Sequence, residues 1–212
     1  MGNPARKEIE TVNTGTEVAV IPAGSTALTT LDVEHLRSRI QKIQQAMKKV
    51  MKANVHYGKI PGTQKNTLLK PGAEVLLTMF QIAAEPEIQE LEDPDGHVRY
   101  RVRTRGFHIP TGSTIGYGIG ECSTAESKYA WRAAVSTEEY DATEYEARRI
   151  KHGYYNGKPT ELMQVATNPS DLANTVLKMA KKRSIVDLCL TALGASDVFE
   201  QDLEEDNESR DR

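Results

Sequence analysis

The clearest alternation of polar and apolar residues lies near the middle of the chain, in the stretch HVRYRVRTRGFHI from 97 to 109. Successive side chains of a β-strand point to opposite faces, so this spacing predicts a strand with one apolar and one charged face. The charged face would carry four arginines about 6.6 to 6.8 Å apart, namely Arg99, Arg101, Arg103 and Arg105. The apolar face would carry residues suited to packing against a helix or a second sheet, namely Val98, Tyr100, Val102 and Thr104.

Guanidinium groups bind phosphate through two parallel hydrogen bonds and stay charged at physiological pH, so a row of arginines on one face indicates contact with a polyanion. A second interpretation is a solvated strand whose arginines form ion pairs with Glu90 and Glu92 on the neighbouring strand. The sequence leaves both interpretations open.

Two further segments flank this strand and predict a three-stranded antiparallel meander between residues 86 and 122. EIQELE leads through the turn DPDG into the arginine strand, and PTGS leads into TIGYGIGEC. Gly116, Gly118 and Gly120 occupy alternate positions, which leaves one face of the last strand bare for a backbone, a base or a neighbouring subunit. They lack the third-glycine spacing and the helix of a dinucleotide fingerprint.

Apolar positions spaced by three and four predict helices before and after the meander. These are Leu31 to Ala53, a helix from Pro71 onward, Thr124 to Ala134, and Ser170 or Asp171 to Leu193. Gly194 is the expected C-terminal stop, and Lys128 and Arg132 would share a face of the third helix. The predicted class is α+β, an antiparallel three-stranded meander packed against helices with a β-β-β-α core.

Two further groups of residues are candidates for phosphate binding. The last helix carries Lys178, Lys181, Lys182 and Arg183 within one and a half turns, and the first three share a side. A glycine-rich loop before the second helix holds Tyr57, Lys59, Lys65 and Lys70. Such a loop can bind phosphate through backbone N–H groups and the helix dipole, although it lacks the P-loop order.

The segment 135–169 interrupts the regular pattern and is predicted to be an insertion. Tyrosines alternate there with cations: Tyr140, Tyr145, Tyr154 and Tyr155 with Arg148, Arg149, Lys151 and Lys158. This mixture suits base stacking beside phosphate neutralisation, as in single-strand binding. It equally suits a plain surface insertion.

The ends of the chain differ in composition from the middle. Residues 1–29 lack helical periodicity and are predicted to form a disordered arm. The net charge is −3, and the tail 200–212 contributes −5, which leaves +2 for the rest of the chain. This acidic tail could compete with DNA or recruit a basic partner, or it could simply aid solubility. One domain, 30–199, is expected between the two ends.

The sequence contains no apolar run of about 18 residues, so no membrane association is predicted. Cys122 and Cys189 have no metal-binding or redox spacing, and a reducing cytoplasm is the expected compartment. The histidines form no ligand pattern, so no metal and no cofactor is expected. A metal-dependent nuclease would have to use carboxylates such as Asp93, Asp95 and Glu121.

The order helix, meander, helix resembles the annealing domain of the single-strand annealing recombination proteins of the Rad-fifty-two superfamily, which includes phage annealases. The matching segments are GSTIGYGIGECSTAESK, from Gly112 to Lys128, and LKMAKKRSIVDLCLTALG, from Leu177 to Gly194. The resemblance covers roughly residues 55 to 200. In the superfamily the two segments are usually connected closely, whereas here the insertion 135–169 separates them.

The resemblance implies that basic residues of the sheet and the final helix line a groove for single-stranded DNA. It further implies a ring or helical homo-oligomer that anneals complementary strands in recombination and repair without ATP, in a bacterial or phage-infected cell. Other recombination proteins would bind through the acidic tail. The alternatives are a non-catalytic scaffold for an acidic protein partner and the nuclease. The resemblance therefore predicts a DNA-binding protein that is not an enzyme.

Overall fold

The computed structural model describes residues 33–59, 64–91, 93, 95–155 and 158–200. The arm predicted at 1–29 lies outside the described residues, as does the acidic tail apart from Glu200. The helices are α1 (Val33–Lys49), α2 (Lys70–Met79), α3 (Ser127–Ala130), α4 (Thr137–Ala142) and α5 (Pro169–Leu193). The strands are β1 (Tyr57–Gly58), β2 (Asn66–Leu68), β3 (Ile82–Leu91), β4 (Arg99–His108), β5 (Thr114–Ser123), β6 (Trp131–Ala133), β7 (Arg148–Tyr155), β8 (Lys158–Ala166) and β9 (Phe199–Glu200).

The predicted meander is confirmed as an antiparallel sheet of order β3-β4-β5. The central strand β4 pairs along its length with both neighbours, and Arg103 lies between Glu87 of β3 and Ile119 of β5. The predicted alternation of β4 is confirmed too, because Val102 and Thr104 are fully buried while Arg101 and Arg103 are exposed. The α+β class follows from this sheet and the helix behind it.

Helix α5 covers the apolar face of the meander and packs mainly on β5 and β4. The bare face left by alternate glycines is what admits it. A Cβ on Gly118 would overlap the Ser184 carbonyl oxygen, and a Cβ on Gly120 would overlap that of Ala180. A buried hydrogen bond of 2.7 Å between the hydroxyls of Thr104 and Ser184 links the two layers. The bare face could have admitted a backbone, a base or a neighbouring subunit, and in the structure it admits the backbone of α5.

The C-terminal end of α5 has the residue that the sequence predicted, whereas its N-terminal cap, Asn168, was not predicted. The Asn168 side chain accepts a hydrogen bond of 3.0 Å from the Ser170 N–H, which satisfies one of the free donors of the first turn. Gly194 adopts the left-handed conformation with φ 62° and ends the helix. The prediction of this helix is therefore confirmed in position and length.

The main core lies between α1, α2 and the C-terminal half of α5. Its largest fully buried side chains include Ile43, Leu76, Leu188 and Phe199. Helix α1 ends at Lys49, earlier than the predicted Ala53, and its apolar stripe is only partly covered. Ile43 and Ala46 are buried, whereas the apolar residues Val33 and Leu36 at its N-terminal end are exposed.

A small sheet of order β1-β2-β9 closes this core, with β9 parallel to β2. The sequence analysis predicted no strand after α5. Phe199 of β9 is 1% exposed, and its ring centroid lies 6.2 Å from that of Tyr57 in β1. Chain that follows the last helix therefore contributes to the core.

Apart from residues 156 and 157, which lie outside the described residues, the segment 135–169 contains helix α4 and the strands β7 and β8 of a third sheet, of order β6-β8-β7. Strands β7 and β8 form a long antiparallel hairpin, and β6 pairs with the far end of β8. Of the helix predicted from Thr124 to Ala134 only Ser127–Ala130 is helical, because residues 124–126 form a turn and Trp131–Ala133 is strand β6. Pairing with β8 overrides the local helical spacing there.

Among the described residues, none of the helices combines the length and apolar character needed to cross a membrane.

Candidate nucleic-acid interface

The four arginines of β4 lie together on the side of the meander that faces away from α5, and we call this surface the arginine face. Arg101, Arg103 and Arg105 are exposed, and Arg99 is partly exposed. Cross-strand neighbours complete the surface with Glu85, Glu87 and Gln89 from β3 and Tyr117, Ile119 and Glu121 from β5. The strand pattern alone predicted this grouping of the arginines.

Carboxylates compensate much of the charge on the arginine face. Arg105 pairs with Glu85 at 2.6 Å and Arg101 with Glu121 at 2.8 Å. Arg99 lies 3.4 Å from Asp93 and 3.8 Å from Glu121. The solvated interpretation was therefore right that the arginines form ion pairs.

The partners differ from those expected. Glu90 is the cross-strand neighbour of Tyr100, so it points to the opposite face of the sheet, and Glu92 lies outside the described residues. The parity of the strand register decides which carboxylates reach the arginines, and the sequence does not reveal that register.

Arg103 differs from the other three arginines. In the part of the chain that the structure describes it forms no ion pair, and its guanidinium carbon lies 3.9 Å from the centroid of the Tyr117 ring. Tyr117 is 42% exposed. The two side chains line a shallow cleft of about 410 Å³ together with Glu85, Pro86, Glu87 and Arg105. A guanidinium stacked over an aromatic ring forms a planar pair, and a base can stack on its exposed side.

The basic residues of α5 divide into two groups. Lys178, Lys181 and Lys182 lie on α5, which packs on the apolar face of the meander; Lys178 is exposed and the other two are partly buried. The arginine face is on the far side of the sheet from α5. A single chain therefore does not bring these lysines and the arginine face into one groove.

Arg183 is part of a partly buried cluster rather than an open surface. It donates hydrogen bonds of 2.7 and 2.9 Å to the two oxygens of Glu126 and a further one to the Glu121 carbonyl. Burial by itself would raise the pKa of Glu126, but hydrogen bonds from Arg183 and the Cys122 thiol hold it at about 2. Burial, followed by the hydrogen bond to Glu126, raises the pKa of Cys122 to about 11. This cluster fastens α5 to β5 and α3.

Lys128 and Arg132 do not share a helix face, because Arg132 lies in β6. Lys128 is 3.6 Å from Glu126, and its ammonium nitrogen lies 4.7 Å from the Tyr129 ring centroid. Arg132 donates two hydrogen bonds, of 3.1 and 2.6 Å, to the carboxylate of Glu139. Those hydrogen bonds lower the pKa of Glu139 to about 2. The two cations thus contact different carboxylates.

Among the loop candidates, Lys59 is exposed. Lys65 donates a 2.9 Å hydrogen bond to the Ser196 carbonyl, and Lys70 pairs with Glu74 at 3.1 Å within α2. Tyr57 packs against the core.

The N-terminus of α2, which follows this loop, is in contact with the backbone at His56. The His56 carbonyl accepts a hydrogen bond from the Leu69 N–H, and a Cβ on Gly72 would overlap that same oxygen. The structure therefore provides no support for phosphate binding at this helix.

Strands β7 and β8 bring together cations that the sequence analysis named but did not place on a sheet. Arg149 and Lys151 alternate along β7, and Lys158 begins β8. The dipeptide Asn156-Gly157 separates the two strands and is a strong signal for a β-hairpin. This signal is sufficient to predict the hairpin from the sequence.

Two of the three carboxylates considered for a nuclease form ion pairs with arginines. Glu121 contacts Arg99 and Arg101, and Asp93 contacts Arg99. Within the described residues no group of three or more histidine, cysteine, aspartate or glutamate side chains is arranged to hold a metal ion.

Comparison with known proteins identifies no relative: no protein-family model matches the chain, and no curated protein matches it significantly.

Proposed function

We propose that the protein binds single-stranded DNA on the arginine face and promotes the pairing of complementary strands without ATP. The observation that supports this proposal most is the combination of four guanidiniums and an exposed Tyr117 on one uncovered sheet face. Guanidiniums contact phosphates without reading sequence, and an aromatic ring stacks any base. Watson–Crick pairing between the strands would then supply all of the specificity.

The ion pairs on the arginine face do not prevent phosphate binding. In the pairs Arg101–Glu121 and Arg105–Glu85 every side chain is at least 36% exposed. Exposed pairs of this kind contribute only about 0 to 1 kcal/mol. A phosphate can therefore replace a carboxylate at little cost, and its own hydrogen bonds to guanidinium are charge-assisted.

We expect the protein to act as a ring or helical homo-oligomer, because repeated weak sites along one strand bind far more tightly than a single site. In this proposal the acidic tail recruits other recombination proteins, and the protein works in the cytoplasm of a bacterial or phage-infected cell. The resemblance to the Rad-fifty-two superfamily is the basis for these expectations.

The decisive experiment is fluorescence anisotropy with a labelled single strand and its duplex at two salt concentrations, followed by addition of the complementary strand. We expect tighter binding of the single strand, weaker binding at higher salt, and strand pairing faster than in a protein-free control. Failure of the protein to bind either DNA would refute the proposal.

Two substitutions connect this activity to the arginine face. Arg103→Ala should weaken binding uniformly across sequences and reduce the salt slope by about 0.7 for a single strand. Tyr117→Ala should weaken binding by about 1 to 3 kcal/mol for one lost stacking contact, whereas Tyr117→Phe should retain affinity. Arg37→Ala is the matched control, because Arg37 is exposed on α1 and forms a local ion pair with Glu34. Equal effects of Arg37→Ala and Arg103→Ala would contradict the role of this face.

A scaffold function is the second candidate, and one observation favours it. Because its cations are largely compensated and Ile119 is 57% exposed, the arginine face also resembles a mixed surface suited to a protein partner. If Arg101→Ala and Arg103→Ala leave DNA affinity unchanged but abolish a protein complex, the scaffold function replaces the annealing function.

A further inference from the structure

The hairpin of β7 and β8, which we call the ribbon, extends away from the main layers of the protein. Its principal packing partners are β6, α4 and the short turn before β7, rather than the meander or α5. Both of its faces reach solvent: Ile150 on one face is 42% exposed and Leu162 on the other is 47% exposed. The exposed ribbon is therefore suited to contact a partner.

The two faces of the ribbon differ in charge. The strand register places Arg149 beside Gln164, Lys151 beside Leu162 and Lys158 beside Tyr155, all on one face. Glu161 and its neighbour His152 lie on the other. The face with Arg149, Lys151 and Lys158 thus contains no carboxylate from either strand, and we call it the cationic face.

This arrangement contrasts with the arginine face. There, Glu85, Glu121 and Asp93 neutralise three of the four guanidiniums. On the cationic face Arg149 hydrogen-bonds an uncharged partner, Gln164, at 2.9 Å and lies 4.5 Å from the Trp131 ring centroid. A surface of one sign attracts a polyanion over a longer range than a compensated surface does.

We propose that the cationic face of the ribbon binds the sugar–phosphate backbone of nucleic acid. The three cations follow one another along a narrow two-stranded ribbon, a shape that also fits a DNA groove. Gly153 lies on the same face between Lys151 and Lys158 and leaves space, because the nearest atom to a Cβ there would be Thr160 Oγ1 at 3.9 Å. A backbone can therefore approach closely between the two lysines.

This inference rests on the proposed function and adds a second contact surface to it. In this arrangement the cationic face captures phosphates, and the arginine face orders the bases beside Tyr117. The ligand chemistry is the same for single and double strands, so the experiment has to compare both forms.

The test compares the wild-type protein with the double variant Lys151→Gln and Lys158→Gln. Losing two phosphate contacts should reduce the salt slope for a single strand by about 1.4, which corresponds to roughly 25-fold weaker binding at 0.1 M salt. The matched control is Lys42→Gln with Lys52→Gln, which removes the same charge from exposed positions elsewhere. This control should change affinity by less than about threefold if the lysines of the ribbon act by contacting phosphates and not through the net charge of the protein.

Trp131 provides a second measurement in the unaltered protein, because it is the single tryptophan of the chain and lies against Arg149. Binding at the cationic face should change its fluorescence and protect it from iodide quenching. If anisotropy reports tight DNA binding, but DNA leaves Trp131 fluorescence and quenching unchanged and the double variant binds as tightly as its control variant, the inference is wrong and the proposed function stands. If the wild type binds no DNA, both are wrong.

The two forms of DNA give the remaining outcomes, each of which supports backbone binding. A loss confined to the single strand assigns the cationic face to the extended strand. A similar loss with the duplex assigns it to the backbone of either form, including the annealed product.

Discussion

Close contact between α5 and the meander depends on the absence of a side chain at Gly118, so Gly118→Ala is the most informative stability variant. The added Cβ would lie 2.7 Å from the Leu188 Cα and would overlap the Ser184 carbonyl oxygen. These are backbone atoms of a long helix, so no side chain can rotate away. Overpacking typically costs about 1 to 3 kcal/mol, and we expect the upper end of that range. For a chain of this size, about 3 kcal/mol lowers the Tm by roughly 6 to 12 °C.

The assay is urea denaturation followed by circular dichroism, with Gly153→Ala as the matched control. Gly153 is also in a strand, but a Cβ there would meet its nearest neighbour only at 3.9 Å. The control should be neutral or up to about 1 kcal/mol more stable, because alanine reduces the entropy of the unfolded chain. Equal stability of Gly118→Ala and the wild type would refute the helix-on-glycine packing.

Two further predictions concern stability. Glu126→Gln should destabilise the protein by roughly 1 to 3 kcal/mol, because it weakens charged hydrogen bonds to Arg183. The pKa of Glu126 lies below its ordinary value of 4.5 at about 2, so its ionised form stabilises the folded state above pH 4.5. That contribution is lost as the pH falls towards 2. Urea denaturation across this range should therefore give a smaller pH dependence for Glu126→Gln than for the exposed control Glu161→Gln, and identical slopes would contradict the argument. Phe199→Ala should cost about 3 to 5 kcal/mol by emptying a buried core site, whereas Val135→Ala, at a residue 88% exposed, should be near neutral in the same assay. A wild-type midpoint for Phe199→Ala would show that β9 is dispensable.

The sequence predicted the elements whose signals are local and repeated. Alternation over thirteen residues from 97 to 109 located β4 and its two faces, and helical periodicity with Gly194 located α5. The glycines of β5 indicated a close approach, and α5 is what approaches. In each case one physical rule acts along a single element, so no knowledge of the neighbouring elements is required.

The remaining features depend on pairing between segments far apart in the chain. Strand β6 pairs with β8 some 30 residues later, and this pairing overrides the helical spacing around Trp131. The carboxylates that reach the arginines depend on strand register, which changes the face of a residue with every shift of one position. The resemblance grouped Lys178 and its neighbours with the arginines, but α5 packs on the opposite face of the sheet.

The distribution of charge over the two exposed sheet faces also explains why a chain of net charge −3 can be a candidate for DNA binding. On the arginine face three of the four arginines form ion pairs with carboxylates, so they attract a polyanion weakly at long range and exchange partners only on contact. On the ribbon, Lys151 and Lys158 share a face that lacks carboxylates from either strand, so they can attract a polyanion before it touches the protein. If DNA contacts both faces, the ribbon should therefore account for the salt dependence of binding, and Tyr117 should account for the stacking contribution. Because the two contributions respond to different substitutions, the changes in binding free energy caused by Tyr117→Ala and Lys151→Gln should add in the double variant if the faces act independently.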